Sequence, residues 1–494
     1  MAENITNKVK RPISLLVLII TLLATFIFYY IDDFGNRGYN EHLLLVIMIL
    51  STIVTIIFIT NDKSPKILSN ISFKISYLFL IGYFIVFFQR YIDLLLGYFS
   101  PNDTFLWSNS YTINRSALIT LCGYTSFVLG YLYYRPKYKL ISYSAQCHPT
   151  PINVFPLKII SLCCVALFFY YNGADYIAGT YSQEYIESKR GTMAAYSEVL
   201  TLSFFIIIFS LEIYNNNYSS LKQYIRGLGI VFHISLILYL GLVLISGDRG
   251  PIIQVLLMWF SSYYIICRPK INITTLLILI IIGAYFVNAL GIARGKDHTR
   301  SFGSRLQEAL IEKRVNDYRA SFFPPTAELS NSVRCLHYAV DYVPENHPFL
   351  YGSFQVRDIL SGIPFSSKVT EKILNQKFQY KNSAYFITYI RNGQFYTSGE
   401  GSSIIADLYL AFGIWSVLAG MFAWGILIKY VECRIFTDSR VKKLAIIILT
   451  ITLYTGSISV NRASMFGLIS LFSFSIIIAW LYLHVFKKIK IQFF

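Results

Sequence analysis

Long stretches of this chain carry almost nothing but apolar side chains, and no other feature restricts its fold as severely. An apolar run of roughly 18 or more residues is long enough to cross a bilayer as a helix. Twelve runs of about that length fall at 13–31, 43–60, 73–89, 117–134, 157–171, 197–213, 227–246, 251–267, 274–292, 404–428, 444–460 and 464–486. The fifth is short and needs a residue or two more at each end. All read as helices rather than as alternating strands, which excludes a β-barrel. Only 14% of the residues are charged, against about 25% in an ordinary soluble domain. The expected fold is therefore an all-α polytopic membrane protein of about twelve transmembrane helices.

Orientation follows from the distribution of Lys and Arg, which favour cytoplasmic loops. With the N-terminus (Lys8, Lys10, Arg11) inside, the inner segments collect Lys63/Lys66, Arg135/Lys137/Lys139, Lys222/Arg226, Arg268/Lys270, Lys429 to Lys443 and Lys487/Lys488/Lys490. That is about twenty basic residues inside against about seven in the short outer loops, and the alternation holds through all twelve spans. Both termini are expected in the cytoplasm. The net charge of +17 is mostly this asymmetry, so it gives no support to a nucleic-acid partner. The first span is too long for a cleaved signal sequence and no small-residue cleavage site follows it.

Three units are expected: helices one to nine over 1–292, a large extracytoplasmic loop with short helices over 293–403, and helices ten to twelve over 404–494. The loop is the one long connection. Its stretches 304–323 and 368–378 read as short amphipathic helices, and its aromatics (Tyr380, Tyr385, Phe386, Tyr389, Phe395, Tyr396) suit the faces of a saccharide. Of seven cysteines only Cys335 falls clearly outside, so no outer disulfide is expected. No CxxC, HExxH or glycine-rich phosphate loop occurs, and no metal or cofactor is called for.

Outside arginines run against the positive-inside bias, and four stand at helix ends. In "SGDRGP" (246–251), Asp248 and Arg249 sit side by side as an ion pair, with Pro251 in the first turn of the eighth span. The free N–H groups and positive dipole end of that helix, with Arg249 beside them, suit an anion such as phosphate. "SVNRASMFG" (459–467) repeats the pattern, with Asn461 able to cap the twelfth span and Arg462 next to it. Arg294 in "LGIARGKDHTR" stands where the ninth span ends, and Arg190 closes "YIESKRG". Taken singly, each can cap, snorkel or pair with a neighbour. The acidic complement lies in "TSGEGSSIIADLYLAFG" (397–413), where Ser402 or Ser403 can cap the tenth span. Asp407 then falls in its first turns, where the dipole favours a carboxylate. Glu400 is a loop acid within reach of an arginine. His337 is the best-placed outer histidine, although a lone loop histidine is more often structural.

These stretches carry a resemblance. The layout of a dozen spans with one large late loop, together with "YYNGADYIAGTYSQEYIESKRG", "SGDRGP", "VPENHPFLYGSFQVRDILSGIPF" (343–365) and "SGEGSSIIADLYLAFG", resembles the Wzy-type polymerases of oligosaccharide repeat units over most of residues 170–470. The resemblance implies a GT-C-like membrane glycosyltransferase of the bacterial cytoplasmic membrane, with its active site facing the periplasm. The donor it implies is a glycan on undecaprenyl diphosphate, and the acceptor is a hydroxyl of the next lipid-linked unit. Membrane lipids, a flippase and a chain-length-regulating membrane protein are the partners it suggests. On that reading Arg249, Arg294 and Arg462, with Arg190 behind them, clamp the diphosphate, and Asp407 or Glu400, or His337, takes the acceptor's proton.

Two other readings share parts of this pattern. An O-antigen ligase uses the same donor but transfers to a lipid A core. A lipid-linked oligosaccharide flippase calls for related halves and charges at mid-membrane depth, whereas the charges here gather at one rim.

Overall fold

The computed structural model describes residues 2–31, 38–62, 73–135, 151–178, 192–269 apart from 217, 320–364, 378–393, 399–437 and 444–486, with isolated residues between 274 and 307 and between 366 and 374. Every regular element among the described residues is helical. The membrane-length helices are α1 (Ala2–Ile31), α2 (Glu41–Asn61), α3 (Ile75–Leu95), α4 (Ser110–Tyr133), α5 (Phe155–Ala178), α6 (Thr192–Asn215), α9 (Arg249–Cys267) and α14 (Ile414–Thr437). Between them lie α7 (Leu221–Leu228) and α8 (Ile230–Ser246), and in the long connection α10 (Val333–Tyr342), α11 (Ser353–Ser361) and α12 (Ser383–Asn392). The remaining helices are α13 (Ile404–Phe412), α15 (Leu444–Gly456) and α16 (Ile469–Leu481).

Eight described helices are long and apolar enough to cross a membrane, nine if the bent pair α7–α8 counts as one span, and α15 and the stretch Ile469–His484 are shorter apolar helices. Several expected spans are thereby corrected. The seventh turns by 87° ahead of α8. The short α7 carries Lys222 and Arg226 on an exposed face, and so suits an interfacial position. The tenth is broken at Gly413, whose φ of +65° ends α13. A side chain there would also meet Phe349 at 3.0 Å. The membrane-length helix therefore starts at Ile414, and Asp407 lies before it. The eleventh stops at Gly456, and the twelfth begins at Ile469. Asn461 does not cap it, because its amide is buried and donates to Phe79 O at 3.2 Å. The expected ninth span (274–292) lies mostly outside the described residues, as do most of the proposed helices at 304–323 and 368–378.

The middle of the bundle is the pairing of α4 with α14, the most extensive helix contact in the structure. Small residues bring the two backbones together. A Cβ at Gly130 would lie 2.1 Å from Phe422 O, and one at Gly425 would lie 2.2 Å from Phe127 O. In lipid, where helices gain little from hydrophobic contact with one another, such close approach supplies the packing. α4 is almost wholly buried and accordingly carries Thr112, Asn114, Ser116, Thr120 and Thr125 inside. α1 and α2 are apolar around most of their circumference and largely exposed, which fits a lipid-facing position.

Helix ends sort into two poles. At one, Asp62 after α2, Lys74 before α3, Tyr131 near the end of α4 and Lys429 and Glu432 near the end of α14 come together. At the other lies the long connection, and we call this the loop pole. Arg90, fully buried near the end of α3, ties that connection down. It donates to Asp93 at 3.0 Å, to the carbonyls of Ala320 and Ala327 at 2.7 Å each and to Asn331 Oδ1 at 2.9 Å. Asp93 Oδ1 in turn accepts from Ser321 Oγ and Phe322 N, both at 2.9 Å. The segment leading into α10 is therefore fixed to the bundle, and α10 packs on α4 and α13.

Candidate active site at the loop pole

Four arginines from four parts of the chain meet over that anchored segment. Asp248 caps α9 by accepting from Gly250 N at 3.2 Å, which leaves Arg249 to point away from it. Arg249 is not paired with Asp248, as the sequence suggested. Its fork takes Glu328, with Nη1 to Oε2 at 3.0 Å and Nη2 to Oε1. Arg462, in the turn between α15 and α16, donates from Nε to Ser332 Oγ at 2.7 Å. Arg334 on α10 and Arg391 on α12 share one acid: Arg334 Nε is 2.6 Å from Glu400 Oε2, and Arg391 Nη1 meets Glu400 Oε1. The two guanidinium groups also sit over Phe105, 4.6 and 5.4 Å from its ring centre.

Among the described residues the cluster holds more positive than negative charge: Arg249 pairs with Glu328, Arg334 and Arg391 pair with Glu400, and Arg462 pairs with neither. Arg334 Nη1 is buried with no hydrogen-bond partner among the described residues. Burial and then the adjacent Arg249 depress the Arg462 guanidinium below its ordinary value, with Glu328 opposing. Yet the Arg462 side chain is solvent-accessible. Arg462 is thus surrounded by other side chains yet open to solvent on one side, and this open face over the cluster is called the arginine recess below. Cationic donors crowded in a recess are unfavourable until an anion enters. Planar forks suit phosphate oxygens in particular.

A pair of carboxylates borders this cluster. Ser403 caps α13 by accepting from Ala406 N at 3.2 Å, as its sequence suggested, and so sets the register that turns Asp407 inward. Asp407 is fully buried. Its Oδ2 accepts from Gln355 Nε2 at 2.9 Å and Met465 N at 3.2 Å, while Oδ1 makes no hydrogen bond among the described residues, with the Ser383 hydroxyl nearby. Gln355 is held by the pairing of Leu350 N and Tyr351 N with the last carbonyls of α13, at 2.8 and 3.0 Å. One turn on from Gln355, Asp358 adds a second carboxyl, and Ser464 lies beside it. Burial, then the neighbouring Asp358, push the Asp407 carboxyl up to about 6, and burial likewise raises Asp358. Each carboxyl thus holds a proton more readily than a free acid does, Asp407 in part because Asp358 lies near. Ser464 and Met465 follow Arg462 in one turn, so the cluster and the acids are joined by a few residues of backbone.

The sequence-based candidates divide clearly. Arg249, Arg462, Asp407 and Glu400 all come to the loop pole, but Glu400 is bound by two guanidinium groups and acts there as a counter-charge. His337 is fully buried, with Nε2 3.0 Å from the Tyr91 hydroxyl and its ring 4.9 Å from that of Trp107. Burial lowers it to about 3, which makes it a neutral residue packed in the core. Arg190 and Arg294 lie outside the described residues. Sequence reasoning missed Arg334, Arg391, Glu328, Gln355 and Asp358. The available signal was an arginine beside an apolar helical stripe inside a polar loop, as in "SVRCLHYAV". Among the described residues no group of three or more His, Cys, Asp and Glu is placed to hold a metal.

The profile of the O-antigen polysaccharide polymerase Wzy family matches residues 13–492. The chain belongs to the Wzy O-antigen polymerase family. No curated protein and no solved structure matches it. As a Wzy polymerase it is a multi-pass membrane protein acting in polysaccharide synthesis on lipid-linked repeat units, and the match runs through the long connection as well as the helices.

Proposed function

We propose that this Wzy polymerase joins undecaprenyl-diphosphate-linked repeat units on the outer face of the cytoplasmic membrane, with the arginine recess holding the donor's diphosphate. The observation that supports this reading is the surplus of guanidinium over carboxylate around Arg462 among the described residues, beside Asp358 and Asp407. Placing the loop pole outside agrees with the charge alternation along the sequence.

The chemistry needs two things from the protein. The acceptor's hydroxyl oxygen bonds to the anomeric carbon of the donor's reducing-end sugar, and the bond from that carbon to the diphosphate oxygen breaks. Its electron pair leaves with the diphosphate, so negative charge grows there, and Arg249, Arg462 and Arg334 offer fixed donors to that charge. The hydroxyl's proton passes to the carboxylate pair, where Asp407 Oδ1 is free to accept it. Glu400 and Glu328 keep the guanidinium groups aimed while the recess is empty.

Deleting the gene and sizing the surface polysaccharide tests the function. A polymerase leaves the lipid core bearing one repeat unit. Loss of even that single unit points to a ligase or a flippase, and an unchanged ladder rejects all three.

A further inference from the structure

On the far side of α13 from the acids lies a separate cavity of 630 Å³, within the range of about 300–1,000 Å³ usual for small-ligand sites. Successive residues of an α-helix turn by about 100°, so Tyr409 faces away from Asp407, two residues before it. Asp407 meets Gln355 and Met465, whereas Tyr409 lines this cavity and donates to Val343 O at 3.1 Å. One short helix is thus a wall between the carboxylate pair and a second chamber. Tyr29, Tyr111, Arg115, Glu345 and Trp415 also line the chamber. The rings come from α1, α4, the long connection and the Gly413 break.

Its chemistry is specific. Arg115 has a single hydrogen bond among the described residues, to the Tyr29 hydroxyl at 3.2 Å, and its guanidinium lies 5.2 Å from that ring's centre. No described carboxylate lies in ion-pair contact with it, so most of its N–H donors are left to an occupant. Tyr111 is held by Asp341, whose Oδ1 accepts from its hydroxyl at 2.6 Å. Flat rings with hydroxyls, one guanidinium and one carboxylate fit a sugar, whose apolar faces stack while its hydroxyls both donate and accept. Beside the chamber Trp415 is 61% and Phe412 50% exposed, as in the aromatic belts where a bilayer meets water. A molecule entering there has a lipid tail beside a polar head.

We propose that this chamber is the acceptor site, holding the sugar of the incoming lipid-linked repeat unit while the arginine recess holds the donor's diphosphate. The assignment rests on the polymerase reading and gives each substrate its own side of α13. Arg115 and the tyrosines bind the acceptor sugar, Trp415 stacks on it, and its attacking hydroxyl reaches past the end of α13 to the acid pair.

The test uses the full chain in lipid nanodiscs. The probes are the repeat-unit oligosaccharide released from its carrier by mild acid, which lacks diphosphate, and undecaprenyl phosphate. Binding is followed by saturation-transfer NMR and titration. The wild type is expected to bind the oligosaccharide. Arg115→Gln and Trp415→Ala should weaken it by about ten-fold or more, with Trp415→Phe restoring most of it. Arg462→Lys should leave it within about two-fold, since that side chain faces the other substrate. With lipid-linked units as substrate, both chamber variants should raise KM while kcat holds. Monodisperse elution shows that the variants fold. Equal oligosaccharide binding by the wild type and the chamber variants overturns the proposal. So does binding of undecaprenyl phosphate alone, which would make this a lipid-head site. If the wild type binds the oligosaccharide through Arg115 but makes no polymer, the polymerase reading fails and the sugar site stands.

Discussion

The two poles of the bundle each bring charged side chains out of water, and they do it in opposite ways. Opposite the long connection, Lys74 and Lys429 both reach Asp62, the latter at 3.0 Å. Glu432 accepts from Ser76 N at 2.8 Å and from Tyr131 Oη at 2.7 Å. Two cations meet two acids, all four are buried, and Tyr131 bridges both acids, with its hydroxyl 3.1 Å from Asp62 Oδ1. At the loop pole the arginines outnumber their acids among the described residues, and the Arg462 side chain is solvent-accessible. Among the described residues the first network is balanced and fastens helix ends together, whereas the second is short of anions, the arrangement on which the proposed donor site rests.

The comparison is broken first at the complete network. Asp62→Ala takes from the buried Lys74 and Lys429 the acid that both reach, at a cost of about 3–5 kcal/mol. The expected result is a steep loss of folded protein in the membrane, while the molecules that do fold polymerise at the normal rate per mole. A variant that folds at wild-type levels and makes no polymer would place function at that pole instead.

The incomplete network should respond the other way. Arg462→Lys and Asp407→Asn are each expected to lower the rate by about 10²- to 10³-fold, as for the loss of one donor or base, with protein levels unchanged. The acid also sets a pH profile. With its carboxyl near 6, Asp407 accepts a proton only when ionised, so the rate should fall as pH drops through about 6 and level off above it. A flat profile from pH 5 to 8, or full activity in Asp407→Asn, removes it from the reaction.

The smallest effect sharpens the comparison within the loop pole. Glu400→Gln takes a counter-charge from Arg334 and Arg391 but no base from the substrate, so the rate should stay within about ten-fold of wild type. A loss as large as that of Asp407→Asn would return Glu400 to the role of base. Polymer length on gels, normalised to protein, reads all of these variants.

Much of this was legible in the sequence for physical reasons that also explain the rest. Apolar runs must become helices in lipid, and lysine and arginine mark the inner loops, so the bundle and its poles follow from period and charge alone. Arg249, Arg462 and Asp407 stood out because a charge beside a span end is expensive. Arg334, Arg391, Glu328 and Asp358 sit inside a polar connection, where a charge costs nothing locally and so stands out from nothing. What gives them meaning is tertiary contact, such as that of Arg249 with Glu328 across 79 positions of sequence. The breaks in the expected spans arise where a bilayer-length apolar run is interrupted by a glycine, as at Gly413, and hydropathy alone does not register such a break. His337 was placed in a loop by its sequence position, but α10 turns it into the core against Tyr91 and Trp107.

The glycine seam between α4 and α14 bears on how such a chain is made. α4 is made well before its partner α14. It packs on α1 and α2 as well, but the close approach at Gly130 and at Phe127 O is complete only once α14 is in place. Biogenesis of this protein is thus a matter of late closure, and damage near the C-terminus should be felt at the centre of the molecule.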